Sequence, residues 1–437
     1  MVKKASVDEL VALAKAAAAE AADFQERFAA EDTEARKIVD VMERFLRNRG
    51  RVVYGGAAIN AHLSAEHKFY DPALYLPDYD FMTPDPIQDC ADLIATFELE
   101  GFQDVEAKFG IHEGTYKIFV NYRSAADITY MPAEIYNRVV ADADTIDGIR
   151  YASVNFLRMN IYLELSRPAG DVKRWEKVYE RLLLLNEEHP LRAGHCVAEP
   201  LDALAAQKRT DSHALASPGP RRQSQDRHDR IVGAGIQAGA VFLSGASYLM
   251  GSEPRADEVV LMLTDHREAL TDVLKEQGLR PTEYDAMGEL LPARTEFRTG
   301  RRSLVAVVFD TVACHSYTTL QDPAGYRLGS IDLLIQMYYA MYFTDLQGYL
   351  PVRLLCVIHE LIELEAARRE IAVRNGGKPH DVFPLECVGH QPSLPELKKA
   401  HRERVTAKRK ELVGALRAES SVRGRRSRRR NKAPAAN

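Results

Sequence analysis

The chain has 437 residues, of which 46% are hydrophobic and 28% are charged, a composition typical of a folded globular protein. This length allows about two or three domains with sizeable cores. No apolar run approaches the roughly eighteen residues that a membrane span requires, so the sequence argues against a membrane protein.

The formal net charge of −5 is unevenly distributed along the chain. From Lys398 to the C-terminus there are fifteen Lys or Arg residues against three Glu, a local charge of +12 that leaves −17 for the rest. The sequence RGRRSRRRNKAPAAN has no apolar periodicity, which predicts a partly disordered basic tail over 401–437. Such arms are typical of polyanion binding or of a nuclear address, and a merely solvating tail is the alternative.

Neither the cysteines nor the N-terminus suggests secretion. The N-terminal MVKKASVDELVALAKAAAAEAADF mixes charges among its alanines, which predicts an amphipathic helix and not a signal peptide. The five cysteines are scattered and form no CxxC pair: Cys90, Cys196, Cys314, Cys356 and Cys387. We therefore expect a reduced, intracellular protein that is not secreted.

Hydrophobic periodicity divides the chain into six regions. In chain order, we predict an N-terminal helical region (1–44), a small mixed α/β domain (45–150), a helical segment that completes this half (151–206), a Pro- and Arg-rich linker or exposed loop (207–234), a second α/β domain (235–400) and the basic tail (401–437).

Within the first α/β region the elements follow in a regular order. A helix closes at Gly50, and RVVYGGAAINAHL then predicts a strand, a Gly-Gly turn and a helix. DYDF predicts the next strand, followed by a helix that ends at Gly101. GTYKIFVNY and AADITYM predict two strands of a hairpin.

A faint internal repeat connects the two α/β regions. YGGA at 54–57 resembles LSGA at 243–246, and TPD at 83–85 resembles LTD at 263–265. This alignment pairs Asp78 with Glu258, Asp80 with Val260, and Asp127 with Asp310. It predicts a degenerate second copy without the carboxylate pair, although short strand–helix patterns also recur by chance.

Asp78 and Asp80 are the first candidate functional residues. In LPDYDFMTPDP they occupy positions i and i+2 of a predicted strand, which places their side chains on one face, roughly 6–7 Å apart. Two such carboxylates repel each other unless a cation lies between them, and oxygen ligands suit Mg²⁺ or Mn²⁺. Asp-x-Asp beside proline is also common in surface turns, so the pair alone favours a turn.

Two further features favour the metal hypothesis. Gly55 and Gly56 lie between a strand and a helix, where the backbone can approach a ligand and a helix N-terminus favours phosphate. Asp127 lies on a later strand that can pair beside the first. Three carboxylates beside a phosphate cradle suit two-metal phosphoryl transfer, with Asp78 and Asp80 bridging both ions and Asp127 binding the ion that faces the attacking hydroxyl.

These motifs resemble a known superfamily. A Gly-Gly pair, about twenty intervening residues, Asp-x-Asp and a third Asp on a strand resemble the signature of DNA polymerase beta-like nucleotidyltransferases. YGGAAIN, LPDYDFMTPDP, ADITYMP and RWEKVYERLLLLN are similar to poly(A) polymerase catalytic subunits of large DNA viruses, over about 45–190 and more loosely 240–410. The resemblance implies an α/β (α+β) fold: a nucleotidyltransferase-type mixed sheet with flanking helices, then a second, degenerate nucleotidyltransferase-like domain.

The resemblance also implies an activity. Such an enzyme adds AMP from ATP to RNA 3′ ends without a template, releases pyrophosphate and uses two Mg²⁺ or Mn²⁺ ions. It implies that Asp78, Asp80 and Asp127 are the catalytic residues and metal ligands, and that Gly55 and Gly56 hold the nucleotide phosphates. It further implies action as a homodimer or with a processivity subunit, in the host cytoplasm or the virion.

Other candidate nucleotide-binding residues have simpler explanations. Arg174, Lys177 and Arg181 fall on one helix face, which suits a triphosphate or RNA backbone but also a solvated surface. Asn60 suits either a ribose contact or the stabilisation of the turn. Asn155 and Arg158 share a helical face without a clear role, and CVGHQP at 387–392 favours a structural cysteine over a zinc site.

Nothing in composition or spacing selects adenine. The same site suits a CCA-adding, uridylyl-type or oligoadenylate-type enzyme, or one that modifies a small molecule. The alternative from another class is a non-catalytic RNA-binding or processivity subunit, against which the three intact carboxylates argue.

Overall fold

A computed structural model describes residues 6–70, 76–191, 221–245, 249, 259–288, 290–300, 303–320, 325–344 and 351–410. Several predicted features lie outside this part of the chain, namely Cys196, Glu258, the stretch 207–220 and the tail beyond residue 410.

The first half of the chain forms one mixed sheet against which helices pack. Its helices and strands are α1 (Val7–Glu31), α2 (Thr33–Arg49), β1 (Val52–Tyr54), α3 (Gly55–His62), β2 (Tyr79–Thr83), α4 (Pro86–Leu99), β3 (Val105–Phe109), β4 (Thr115–Val120), β5 (Arg123–Tyr130), α5 (Ala133–Asp142), β6 (Asp144–Ile146), β7 (Ile149–Tyr151), α6 (Val154–Leu165), the 3-10 turn Val172–Arg174 and α7 (Trp175–Glu188). The strand order is β3-β4-β5-β2-β1-β7-β6, in which β2 is antiparallel to β1 and parallel to β5.

Local capping explains where the first helices begin and end. The Asp32 carboxylate accepts the first free N–H groups of α2, and Gly50 ends this helix in the left-handed conformation at φ 60°. Asp85 caps α4 in the same way, and Gly101 (φ 92°) follows its last turn. The helix ends predicted at Gly50 and Gly101 are therefore confirmed. The predicted region boundary at residue 44 is wrong, because α2 continues to Arg49.

The second half forms another mixed sheet. Its helices and strands are α8 (Arg221–Gln237), β8 (Val241–Phe242), β9 (Val260–Thr264), α9 (Arg267–Glu276), β10 (Arg280–Tyr284), β11 (Arg294–Arg298), β12 (Leu304–Asp310), β13 (His315–Thr319), β14 (Arg327–Gly329), α10 (Ile331–Thr344), α11 (Pro351–Asn375), the 3-10 turn Pro379–Asp381, β15 (Cys387–Val388) and α12 over residues 394–410. The order β10-β11-β12-β9-β8-β14-β13-β15 repeats the first sheet strand for strand and adds β15.

The register of the two sheets corrects the sequence alignment by one residue. Thr83 and Thr264 each end their strand, and each Oγ1 accepts the N–H two residues further on. Thr264 therefore corresponds to Thr83, and Leu261, not Val260, corresponds to Asp80.

The same register moves Asp310 away from the position expected for it. Asp80 pairs with Asp127 across β2 and β5, and Leu261 pairs with Val307 across β9 and β12. Val307 thus corresponds to Asp127, whereas Asp310 pairs with Thr264 at the end of the strand. The expectation that Asp310 stands at the position of Asp127 is wrong.

Two predicted segment boundaries also need correction. Residues 221–234, predicted as linker, belong to α8, whose Ile231 and Ala234 are buried. The polar, Arg-rich composition of this segment concealed the helix. Likewise the predicted boundary at residue 400 falls within α12.

The prediction of a fully reduced chain is wrong, as Cys314 and Cys387 show. Cys314 and Cys387 form a disulfide across a Cα–Cα distance of 5.3 Å, which ties the start of β13 to β15. Their side chains meet because β13 and β15 pair, although 73 positions separate them in sequence. Cys387 is accordingly structural, while Cys90 is a buried free thiol.

The helices α6 and α10 join the two halves through a shared apolar core. The rings of Phe156 and Phe343 meet at 5.2 Å, and the Tyr339 hydroxyl donates to Asn155 Oδ1 at 3.3 Å. The apolar helix α10 is buried along nearly its whole length. Among the described residues, no helix is long and apolar enough to cross a bilayer.

A buried ion cluster fixes α11 on α10. Arg369 Nη2 on α11 lies 2.9 Å from both carboxylate oxygens of Asp332 on α10 and 2.7 Å from Glu365 Oε1. Its guanidinium also lies over the rings of Phe383 and Tyr179, at 4.1 and 4.9 Å. Burial raises the pKa of Asp332, so this carboxyl group needs the positive charge of Arg369 beside it to stay ionised.

Replacing Arg369 should strongly destabilise the protein. Arg369→Met leaves two carboxyl groups buried without their cation, which costs about 3–5 kcal/mol of unfolding free energy in urea titration. Arg374→Met on the same helix removes an exposed pair with Glu370 and should cost under about 1 kcal/mol. Equal losses in the two variants would contradict this account of the cluster.

Candidate active site

The structure brings the three predicted carboxylates together. Asp80 and Asp127 are direct neighbours on the parallel strands β2 and β5, and Tyr54 at the end of β1 pairs with Asp80 on its other side. Asp78 lies one residue before β2, two positions from Asp80 and therefore on its side of the strand.

The electrostatics of the group reflect burial and, after it, mutual repulsion. Burial and the charges of Asp78 and Asp127 raise the pKa of Asp80 to about 7. Much of Asp78 reaches solvent, yet the surrounding protein and the charge of Asp127 also raise its pKa. Both carboxyl groups thus ionise less readily than free aspartate in the absence of a cation.

Sequence analysis missed Lys117, which faces these carboxylates from β4. Lys117 and Asp127 are cross-strand partners, and the Lys117 ammonium forms an ion pair with Oδ2 of Asp127. The alternation in GTYKIFVNY, combined with the register of the predicted hairpin, was the available signal. Oδ1 of Asp127 is buried and has no hydrogen-bond partner.

The residues at this site suit divalent cations chemically. Three carboxylates supply the hard oxygen ligands that Mg²⁺ and Mn²⁺ prefer, and Oδ1 of Asp127 is buried without a hydrogen-bond donor. Among the residues that the structure describes, however, no three His, Cys, Asp or Glu side chains are already arranged to hold a metal ion. Metal ligation by Asp78, Asp80 and Asp127 therefore stays a prediction.

Gly55 is required by the close approach of Asp80. Its φ of +70° is a conformation that favours glycine, and a Cβ built there would lie 2.6 Å from Asp80 Oδ2. Gly56 faces a different group, since its Cβ would lie 3.2 Å from Nη1 of Arg181.

Arg181 is the basic residue that the fold holds at the Gly-Gly turn. It comes from α7, is buried, and its guanidinium lies over the rings of Phe69 and Tyr70 at 4.2 and 5.6 Å. It also donates a hydrogen bond to the Tyr70 hydroxyl at 2.9 Å. A cation is therefore fixed beside the first turn of α3, which begins at Gly55.

The other predicted nucleotide-binding residues lie in varied surroundings. Arg174 forms an exposed pair with Glu164 at 3.1 Å and lies near enough to Asp80 to oppose the rise of its pKa. Lys177 is exposed on α7. Asn60 uses its side-chain amide to bond both the N–H and the C=O of Tyr70, each at 3.0 Å, so its visible contacts are structural.

Arg158 and Asn155 lie in the core that joins the two halves. Arg158 is buried and donates to Asn186 Oδ1 at 2.7 Å and to Asn155 Oδ1 at 3.1 Å. The structural interpretation of this pair is the one that the contacts support.

Comparison with known proteins bears directly on this arrangement. Residues 40–171 match the family model described as the poly(A) polymerase catalytic subunit. This match confirms the resemblance found in the motifs.

Relatives with the same family name come from two large DNA viruses. A protein of Acanthamoeba polyphaga mimivirus that is named as a poly(A) polymerase catalytic subunit is 35% identical over 164 residues, 36% of this chain and 27% of the relative. One from African swine fever virus is 24% identical over 164 residues, 36% of this chain and 34% of the relative. The chain therefore matches only about a third or less of the length of these relatives.

A solved structure shares the fold over nearly the whole chain. The crystal structure of the Megavirus polyadenylate synthase aligns with a TM-score of 0.73 and 19% identity, over 94% of this chain and 85% of that one. With the two observed sheets, this similarity confirms the predicted mixed α/β fold class.

The space at Gly55 provides a test of the site. Gly55→Ala should displace the Asp80 carboxylate and abolish stabilisation of the protein by Mn²⁺ in thermal unfolding. Gly101→Ala is the matched control, because its φ is +92° but no atom lies within 4 Å of the added Cβ. Alanine at either position carries a backbone strain of about 1 kcal/mol or more. Only the Gly101→Ala control should still be stabilised by Mn²⁺ in thermal unfolding.

Proposed function

We propose that this protein is a template-independent poly(A) polymerase that transfers AMP from ATP to the 3′ hydroxyl of RNA. The observation that carries the proposal is the adjacency of Asp80 and Asp127, with Gly55 pressed against Asp80. Burial and the charges of neighbouring carboxylates raise the pKa values of Asp78 and Asp80, and few folding requirements explain such a grouping.

The comparisons support the same proposal. The family match at 40–171 contains the Gly-Gly turn and all three carboxylates, and the names of the relatives refer to polyadenylation. The choice of adenine rests on these names, since no described contact in this chain identifies a base.

The reaction that we propose joins the RNA 3′ oxygen to the α-phosphorus of ATP and releases pyrophosphate. Divalent ions bound by Asp78, Asp80 and Asp127 would lower the pKa of the attacking hydroxyl and neutralise the leaving phosphates. The N–H groups of Gly55 and Gly56 and the fixed guanidinium of Arg181 would receive the triphosphate. Catalysis would then depend on position and charge, without a covalent intermediate.

The second sheet would serve a non-catalytic role. Leu261 and Val307 occupy the positions that Asp80 and Asp127 hold in the first sheet. We therefore assign the chemistry to the first half and a supporting role to the second.

The same proposal covers partners and location. The name of the family, a catalytic subunit, favours a second copy or a processivity subunit as a partner. The viral relatives favour action in the host cytoplasm or the virion, inside the cell.

Nucleotide extension tests this function directly. The purified chain should extend a labelled RNA with ATP and Mg²⁺ or Mn²⁺, and Asp78→Asn/Asp80→Asn should lower the rate by at least about a thousandfold, because a cation site is lost. Asp310→Asn, at the end of β12, is the carboxylate control and should keep the rate.

Separate assays with each nucleoside triphosphate distinguish the alternatives. Preference for CTP or UTP would replace the poly(A) assignment with a CCA-adding or uridylyl-type enzyme. RNA binding without extension by any nucleotide would support the non-catalytic subunit.

Arg181 should contribute more to ATP binding than Lys177. Arg181→Lys loses the planar stack on Phe69 and the bond to Tyr70, and should raise the KM for ATP about ten- to hundredfold. Lys177→Gln removes an exposed charge from the same helix and should change this KM less than about threefold. The reverse order would show that the triphosphate lies along the exposed face of α7.

A further inference from the structure

A groove of about 420 Å³ lies between the β3–β4 turn and the C-terminal helix α12. The His401 ring donates from Nδ1 to the carbonyl of Gly110 at 2.9 Å, and Arg404 donates to the carbonyl of Ile111 at 2.8 Å. The last described helix is thus attached to the first half of the chain, beside the candidate catalytic sheet.

Aromatic side chains form one wall of this groove. The rings of Phe109 and Tyr116 are paired at 5.2 Å, and Tyr130 at the end of β5 lines the same space. Phe109 is 40% exposed and Tyr130 is 46% exposed, although burial of such rings would stabilise the fold. Exposed aromatic rings at one place offer stacking surfaces to a ligand.

Basic side chains form the opposite wall. His401, Arg404 and Lys408 succeed one another at helical spacing, so α12 presents them on one face toward the groove. Glu113 is the acidic side chain in the lining. Residues 398–410 carry seven Lys or Arg against one Glu, and further basic residues follow in sequence.

The groove is formed at the same sheet as the carboxylate site but is distinct from it. Side chains alternate along a strand, so Tyr116 and Lys117 of β4 lie on opposite faces of the sheet. On the face of Asp127, Lys117 has Lys108 of the exposed edge strand β3 as its cross-strand partner. Lysine side chains thus extend from the carboxylates to the edge strand, while the groove lies at the β3–β4 turn and on the face of Tyr116.

We propose that this groove binds the single-stranded RNA upstream of the 3′ end that is extended. Rings that stack on bases beside cations that contact phosphates are the combination by which proteins hold single strands without sequence preference. The inference rests on the proposed function, and it adds a binding site outside the carboxylate cluster. Bases stack on Phe109 and Tyr130, while Arg404 and Lys408 contact phosphates.

Binding of fluorescent single-stranded RNA to the full chain tests this site. Phe109→Ala/Tyr130→Ala should weaken binding about tenfold or more, as expected when stacked bases lose their rings. Arg404→Gln/Lys408→Gln should reduce the slope of log K against log salt by about 1.4, because each lost phosphate contact on a single strand contributes about 0.7.

Matched controls separate a specific site from general effects. Tyr122→Ala removes an 83% exposed ring at the other end of the β4–β5 hairpin, and Lys275→Gln removes an exposed cation of α9. Both controls should bind RNA like the unaltered chain. Unchanged binding in the groove variants, or equal losses in the controls, would overturn the inference.

Primer length separates this inference from the proposed function. Groove variants should extend a trinucleotide primer at the normal rate and show a raised KM only for longer RNA. If the unaltered chain extends no primer, the proposed function fails, while the RNA-binding comparison still decides the groove. Equal loss of extension with both primers would overturn the groove assignment.

Discussion

Mutual repulsion among Asp78, Asp80 and Asp127 is the interaction on which the site depends. Asp80 is fixed between Tyr54 and Asp127 by strand pairing, and Gly55 lies where any larger residue would meet its carboxylate. The framework therefore holds charges together that would separate if they were free. Burial first, and then the charges of Asp78 and Asp127, raise the pKa of Asp80, and the positive charges of Lys117 and Arg174 offset this rise only in part. Divalent cations at this site would neutralise the remaining negative charge of the carboxylates.

The second sheet shows that the framework itself does not need these charges. It has the same strand order, with apolar Leu261 and Val307 at the two central positions. Strand β11 of the second sheet corresponds to β4 of the first, and Glu296 occupies the position that Lys117 has in β4. The Glu296 carboxylate is buried and forms ion pairs with Arg294 and Arg298 of its own strand. The same architecture thus forms with the charge removed at two positions and its sign reversed at a third. The carboxylates of the first sheet therefore call for a functional explanation rather than a structural one.

Local signals made much of the fold and the site predictable from sequence. Helix ends at Gly50 and Gly101 depend on the residue itself, because left-handed backbone favours glycine. The Asp-x-Asp spacing and the later strand were sufficient to bring the carboxylates together. Long-range features were not predictable in this way. The one-residue shift of the repeat depends on strand register, and the disulfide Cys314–Cys387 depends on the pairing of β13 with β15. Lys117 was accessible in principle, since hairpin register alone places it opposite Asp127.

The distribution of charge along the chain bears on the contact between α12 and the β3–β4 turn. The chain before Lys398 carries −17, so a polyanion approaching most of this surface meets net repulsion. Helix α12 brings a concentrated positive charge from the far end of the sequence to the β3–β4 turn, where His401 contacts Gly110 across 291 positions. Neither the turn nor the helix forms this surface by itself. Positive charge is concentrated where α12 meets the β3–β4 turn of the sheet that holds the carboxylates, so electrostatics would direct an RNA strand toward this part of the molecule.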